Sequence, residues 1–331
     1  MKIKLRDITT VFSLLALAIA GCSPHRNAKR IQPTISTLPG TFHFDIESVQ
    51  FATNGKTLIA TSDTTIRVWN TSNWKLLQTI HPEDNMLSST LSPDGKMLAC
   101  VNFRSITLWN TLNWTQIKTI AHDSFLYSVS FSPNSRLLVG GGKQGMAVWN
   151  VPTGKMEHSF VKNGYFQKPN FLRPTAFSPD GKLLAVGLEG AQAALIDTRT
   201  WKDVHILSGH KGQVISLAFS PNGKILATGS YDRTIRLWNT GNGICIHTLR
   251  YYVVRTKFDR TGGEVSALAF SPDGSVLVSG GNFNGLFYWR VKTGLLFTIL
   301  NLQYPASSVS LSPDGKVLAF GGISTNVSIY H

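Results

Sequence analysis

The chain has 331 residues, a formal net charge of +14, and 29 Gly and 14 Pro. That length suits two ordinary domains or one large β domain, while abundant turn-forming residues and few amphipathic stretches of helix length predict short strands and almost no helix. The basic balance favours anionic partners such as lipid head groups, acidic glycans or acidic proteins, and three cysteines are too few for a disulfide framework, which a domain of this size does not need.

Met1 to Asp7 carries Lys2, Lys4 and Arg6, and Ile8 to Ala20 is an uncharged run that ends in Ile19-Ala20-Gly21-Cys22. A short basic segment followed by an apolar run of this length reads as a secretory signal, too short to span a bilayer comfortably as a helix. Its end is similar to the lipobox of bacterial lipoproteins. That resemblance implies a signal peptide over residues 1–21, cleavage before Cys22, and acylation of the Cys22 thiol and of the new amino terminus. The expected mature chain keeps a net charge of +12. Residues 22–30 then form a tether, with Arg26, Lys29 and Arg30 able to meet anionic head groups. An ordinary signal peptide with an incidental cysteine is the alternative. Ser23 resembles the sorting choice of outer-membrane lipoproteins in some bacteria. Cys100 and Cys245 lie in apolar strand-like stretches and read as small buried hydrophobes.

Beyond the tether, one turn recurs along the chain. ATNGK (52–56) returns as SPDGK (92–96), SPNSR (132–136), SPDGK (178–182), SPNGK (220–224), SPDGS (271–275) and SPDGK (312–316). The fourth turn positions are separated by 40, 40, 46, 42, 51 and 41 residues. In each turn Ser caps, Pro presets φ, Asp or Asn tolerates the third position, and Gly takes the positive φ that starts the next strand. Alternating apolar residues on both sides, as in VISLAF (214–219) and KILATG (224–229), predict strands with one buried face. A large side chain follows each turn by 14 or 15 residues: Trp69, Trp109, Trp149, Ile196, Trp238, Trp289 and Tyr330. Segments such as TIRVWN and TIRLWN form a third strand; KLLQTI, TQIKTI and ICIHTL form a fourth. Seven units of about 40 residues with four strands each predict an all-β, seven-bladed β-propeller over residues 31–331.

With these residues in place the chain resembles the WD-repeat family, whose unit runs from a Gly-His pair to a Trp-Asp pair. Only Gly209-His210 supplies the full first pair, and Asn follows Trp at Asn70, Asn110, Asn150 and Asn239. The last unit stops at His331 one strand short, so the segment Ile31 to Leu38 is expected to close the ring as its outer strand and remove an unpaired edge.

Ser208 to Asn239 contains His210, Ser216, Thr228 and Asp232, which could be cast as a hydrolase triad. The resemblance instead implies a structural network of His210, Thr228, Asp232 and Trp238, with Asp holding the imidazole and the hydroxyl linking it to the indole N–H. Asp63 lies six residues before Trp69 just as Asp232 lies six before Trp238, so this aspartate belongs to the repeat. Phe103, Lys143, Phe283 and Ser324 stand there in units two, three, six and seven, and are expected to signal apolar packing. The glycines at 140–142, 280–281 and 321–322 read as turn residues. No HExxH, paired CxxC or acidic cluster at ligand spacing points to a metal, and no cofactor is expected.

Two insertions account for the long spacings, FVKNGYFQKPNFLRP (160–174) and RYYVVRTKFDRTGG (250–263). Both join a fourth strand to the next first strand, a connection that the resemblance places on the top face. They mix cations with aromatics: Lys162, Tyr165, Phe166, Lys168, Phe171 and Arg173 in one, Arg250, Tyr251, Tyr252, Arg255, Lys257 and Arg260 in the other. Exposed aromatics and Arg are the usual interface anchors. These features predict a non-catalytic scaffold in a bacterial envelope that takes a protein partner on its top face, with nucleic acid excluded by compartment. Recognition of an anionic glycan by the same loops stays open, as does a propeller enzyme using the top-centre mouth.

Overall fold

The structure, a computed structural model, describes residues 34–122, 126–142, 145–160, 174–250 and 263–331. These residues form seven antiparallel sheets of four strands and no helix, a seven-bladed β-propeller. Blade 5 shows the plan, with strands Val214–Phe219, Ile225–Ser230, Thr234–Asn239 and Cys245–Arg250 paired in chain order. The ring closes as the sequence predicts. Blade 7 is built from Ala306–Leu311, Leu318–Gly322 and Ser328–Tyr330, and its outer strand is Ile35–Thr37, with Ile35 opposite Tyr330 and Thr37 opposite Ser328. Leu38 N–H then donates to Val327 O at 2.9 Å, and the Leu38 side chain is buried with Phe42, Val49, Trp69 and Ile329.

Antiparallel pairing puts the first-to-second and third-to-fourth strand turns at one end of each blade, here the bottom. The second-to-third turns and the connections between blades lie at the top. The bottom turns touch in a closed ring: Gly55 faces Pro313, Gly181 faces Pro133, Gly223 faces Pro179, Gly274 faces Pro221, Gly315 faces Pro272, Gly95 faces Thr53, and Asp94 N–H donates to Ser135 Oγ at 3.3 Å. Gly223 holds φ near 70°, and Ser135 takes φ near 58° where the other turns have glycine. In the six turns that begin with serine, its hydroxyl and the Asp or Asn side chain replace missing strand partners, as where Ser220 Oγ donates to Asn222 Oδ1 at 2.8 Å and accepts Ile225 N–H at 3.0 Å.

Apolar burial lies between blades. Ile235, Leu237 and Leu249 of blade 5 share one cluster with Val265, Leu277, Phe287 and Trp289 of blade 6. The glycines at the ends of the second strands are part of those strands, not turn residues as composition suggests: Leu137–Gly142, Val276–Gly281 and Leu318–Gly322. Their reason is close approach. A methyl group on Gly280 would lie 2.5 Å from Ala306 O of blade 7, and one on Gly321 would lie 2.7 Å from Ile46 Cγ2 of blade 1, so the missing side chain lets the next blade's inner strand dock.

Three tryptophans outside the repeat's Trp position also join blades. Trp74, Trp114 and Trp201 sit in third-to-fourth turns with φ of 57°, 57° and 54°. A bulky side chain in the left-handed region is strained. Packing offsets that strain: Trp201 lies 4.8 Å from the His158 ring of blade 3, and Trp74 lies 6.0 Å from His331 of blade 7. Gly243 and Gly294 occupy the same turn in blades 5 and 6, against His205 and His247.

Candidate functional site

The blade 5 network is assembled from two strands, the turn between them and the connection before the blade. His210 follows Gly209 in the top connection from blade 4, Thr228 lies on the second strand, Asp232 in the second-to-third turn, and Trp238 on the third strand. His210 Nδ1 is 2.9 Å from Asp232 Oδ2 and its Nε2 is 2.7 Å from Thr228 Oγ1, which accepts Trp238 Nε1–H at 2.9 Å. A consistent proton order follows. Nδ1–H donates to the carboxylate, Nε2 pairs with the Thr228 hydroxyl, and that hydroxyl oxygen receives the indole N–H.

Asp232 also accepts Lys211 N–H at 2.7 Å, Thr234 N–H at 2.9 Å and the Thr234 hydroxyl at 2.6 Å. Burial opposes its ionisation, but the hydrogen bonds from His210, Thr234 and Lys211 outweigh burial and hold the carboxyl well below the usual carboxylate range. The arrangement is poor for hydrolysis. Thr228 is 0% exposed, so no substrate reaches the hydroxyl beside the imidazole, and Ser216 directs its hydroxyl to Val265 O at 2.8 Å.

Blades 6 and 1 satisfy the indole differently. Trp289 Nε1–H donates to Ser279 Oγ at 2.9 Å and Trp69 Nε1–H to Pro39 O at 2.9 Å. At the Asp232 position, Phe283 follows the expected apolar packing, 4% exposed and edge-on to Phe287. Phe103 does not, being 48% exposed. Its neighbour Asn102 does the polar work instead: Oδ1 accepts Ser105 N–H at 2.6 Å while Nδ2 donates to Asp84 at 2.8 Å. Ser324 also makes a polar contact, donating to Asn326 O at 2.8 Å. The turn of blade 2 is one residue shorter than that of blade 5, which moves the capping amide and turns the phenyl outward. Lys143 lies outside the described residues.

The top face carries a second grouping. Among the described residues the four exposed aromatics are Phe44 at 50%, Phe103 at 48%, Tyr231 at 46% and Tyr304 at 50%, and every one stands in a top turn or connection. Ile323, half exposed, joins them from blade 7. Asn102, next to Phe103, lines a cavity of about 130 Å³ together with Glu83, Asp84, Met86, Cys100 and Trp109.

Asp45, Glu47, Asp63, Glu83, Asp84, Glu189, Asp232 and Glu264 stand at this end against Arg104, Lys211, Arg233 and Arg250, so the described top is acidic. Crowding shows at Glu47. Packing around its carboxyl and then the charges of Asp63 and Asp45 push its pKa up to about 7. Solvent still reaches part of the residue, which tempers the desolvation, and the neighbouring carboxylates keep the direction upward.

Of the insertion residues named from sequence, Arg250 ends the fourth strand of blade 5; Lys162, Tyr165, Phe166, Lys168, Phe171, Arg173, Tyr251, Tyr252, Arg255, Lys257 and Arg260 lie outside the described residues, as does Cys22. Sequence reasoning missed Phe44, Phe103, Tyr231 and Tyr304 as surface aromatics. The signal available was their place in top connections, where an aromatic has no neighbouring blade to cover it.

Four segments, residues 33–70, 114–150, 201–239 and 251–285, match the WD domain, G-beta repeat. Each of the first three spans the outer strand of one blade and the three inner strands of the next, so the sequence repeat is offset by one strand from the structural blade. The chain is thus a seven-bladed propeller carrying WD40 repeats, a fold that typically serves as a non-catalytic scaffold and commonly binds protein partners.

Proposed function

We propose that this protein is a scaffold anchored through Cys22 to a bacterial envelope membrane, the outer membrane by the choice of Ser23, and that it holds a protein partner on its top face. The carrying observation is the confinement of the exposed aromatics to that end. Large amphipathic rings with free surface are the side chains that anchor protein interfaces, and here they stand among carboxylates. The matching partner surface is apolar at its centre and cationic at its edge.

The acidic charge around the rings speaks against an anionic glycan on the described part of this face. The blade 5 network lends an enzymatic reading no support, since its Thr228 hydroxyl is closed to solvent.

Two measurements test the reading. Photo-crosslinking residues placed at Phe44, Phe103, Tyr231 or Tyr304 are expected to trap one common protein in cells, while the same probe at Leu112 or Ile244, exposed at the bottom, does not. Equal trapping from both ends would overturn the top-face assignment. Mass spectrometry of the membrane-fraction protein is expected to find lipid on Cys22, and an unmodified thiol would remove the anchor.

A further inference from the structure

The acidic top has a counterpart at the other end. Among the described residues, twelve Lys and Arg and seven Asp and Glu lie in or beside the bottom turns, a net charge of +5, against four and eight at the top, a net charge of −4. The cations are not scattered. Lys56, Lys96, Arg136, Lys182, Lys224 and Lys316 each follow the fourth position of a bottom turn, all are exposed, and the turns that carry them touch in the closed ring already described. Six of seven blades therefore present one cation at the same height.

The turn carboxylates cancel only part of this charge. Lys182 and Lys316 pair with Asp180 and Asp314 at 3.6 and 3.5 Å, but both pairs are open to solvent and hold their partners weakly. In blades 1, 3 and 5 the carboxylate is replaced by Asn54, Asn134 and Asn222, which accept the backbone N–H groups of Lys56, Arg136 and Lys224 at 2.9, 3.0 and 3.0 Å. The amide performs the turn's structural task without a charge. Those three cations have no carboxylate in their own turn.

The first described residues also stand at this end. Ile35–Thr37 runs antiparallel to Ser328–Tyr330, a third strand that descends from top to bottom, so Ile35 is near the bottom.

We propose that the bottom face docks on an anionic lipid surface, with Lys56, Arg136 and Lys224 as its principal contacts and the top face directed away from the membrane. The attraction is that of clustered cations for anionic head groups, and it is screened within a Debye length. The orientation rests on the proposed Cys22 anchor; the charge ring does not.

The test uses full-length purified protein mixed with phosphatidylcholine vesicles with or without phosphatidylglycerol. Flotation with pure phosphatidylcholine reports the anchor alone. Acetylation of surface amines followed by mass spectrometry reports the face: Lys56, Lys96 and Lys224 are expected to react several-fold more slowly on phosphatidylglycerol vesicles, Lys211 at the top to be unchanged, and added salt to abolish the difference. Lys56→Glu with Arg136→Glu and Lys224→Glu, all exposed, is expected to lose the protection of the remaining reporter Lys96 while leaving flotation unchanged. Equal labelling rates on the two vesicle types would overturn the docking face even if flotation succeeds. Failed flotation with protection intact would remove the anchor and keep the face.

Discussion

Thr228→Val removes one hydroxyl and keeps the side chain's shape. In the wild type that hydroxyl accepts the Trp238 indole N–H at 2.9 Å and reaches His210 Nε2 at 2.7 Å, with no surface open to water. The substitution therefore leaves two buried polar groups without their partner. Each such group costs about 1 to 3 kcal/mol, so the loss expected is about 3 kcal/mol. Ser279→Ala in blade 6 is the internal comparison, since Ser279 Oγ accepts the Trp289 indole N–H at 2.9 Å; it should cost about half as much by the same reasoning. Urea unfolding followed by tryptophan fluorescence measures both, with the m-value checking that the transition keeps its cooperativity. A loss under about 1 kcal/mol for Thr228→Val, or one no larger than that of Ser279→Ala, would show that the network contributes little beyond packing and would refute the argument.

The two unusual carboxyls give opposite pH dependences. Glu47 has its folded pKa raised to about 7, so its contribution to stability is fully present below the unfolded value and is lost as pH rises through 7; Glu47→Gln should flatten thermal stability between about pH 4 and 7 and raise it above that window. Asp232 is depressed, so its contribution is present above about pH 4 and is lost as pH falls, and Asp232→Asn should weaken the protein at neutral pH while making its acid unfolding shallower. Trp201→Gly relieves a strained φ but gives up the rings of His158 and Phe160; a net loss of about 1 to 3 kcal/mol in urea is expected, and a gain would show that strain outweighs the interblade contact. Leu38→Asp puts a charge into the closing core and should make the native protein cleavable by low protease concentrations, an outcome that unchanged resistance would contradict.

The ring was legible because its signals are local and repeated. Turn geometry, period-two alternation and a missing final strand each follow from backbone sterics and edge pairing, so VISLAF and SPNGK announce the same structure wherever they occur. What escaped sequence reasoning depends on neighbours. Gly280 and Gly321 look like turn residues until blade 7 and blade 1 are seen to close on them. Trp201 looks like a loop residue until His158 appears beneath it. Phe103 sits in register with Asp232 by counting back from tryptophan, yet a turn shortened by one residue hands the polar role to Asn102. The surface aromatics were overlooked for the same reason, since exposure is a property of what the adjacent blade fails to cover.

The network in blade 5 is best understood as one answer to a requirement shared by several blades. A tryptophan near the end of the third strand fills the space between blades, and its buried N–H needs an acceptor. Thr228 supplies one in blade 5, Ser279 in blade 6 and the Pro39 carbonyl in blade 1, two hydroxyls and a carbonyl for the same donor. Of these three, blade 5 alone has an acceptor that extends the chain, through the imidazole to a carboxylate that also caps the turn at Thr234 and fixes Lys211. The histidine and aspartate therefore tie the blade 4 connection to the second-to-third turn of blade 5, two segments of the same top face. Tyr231 stands in that turn, adjacent to Asp232. The fully bonded network fixes the turn that carries this ring, and under the proposed top-face docking a fixed turn lowers the ordering cost of binding at that position.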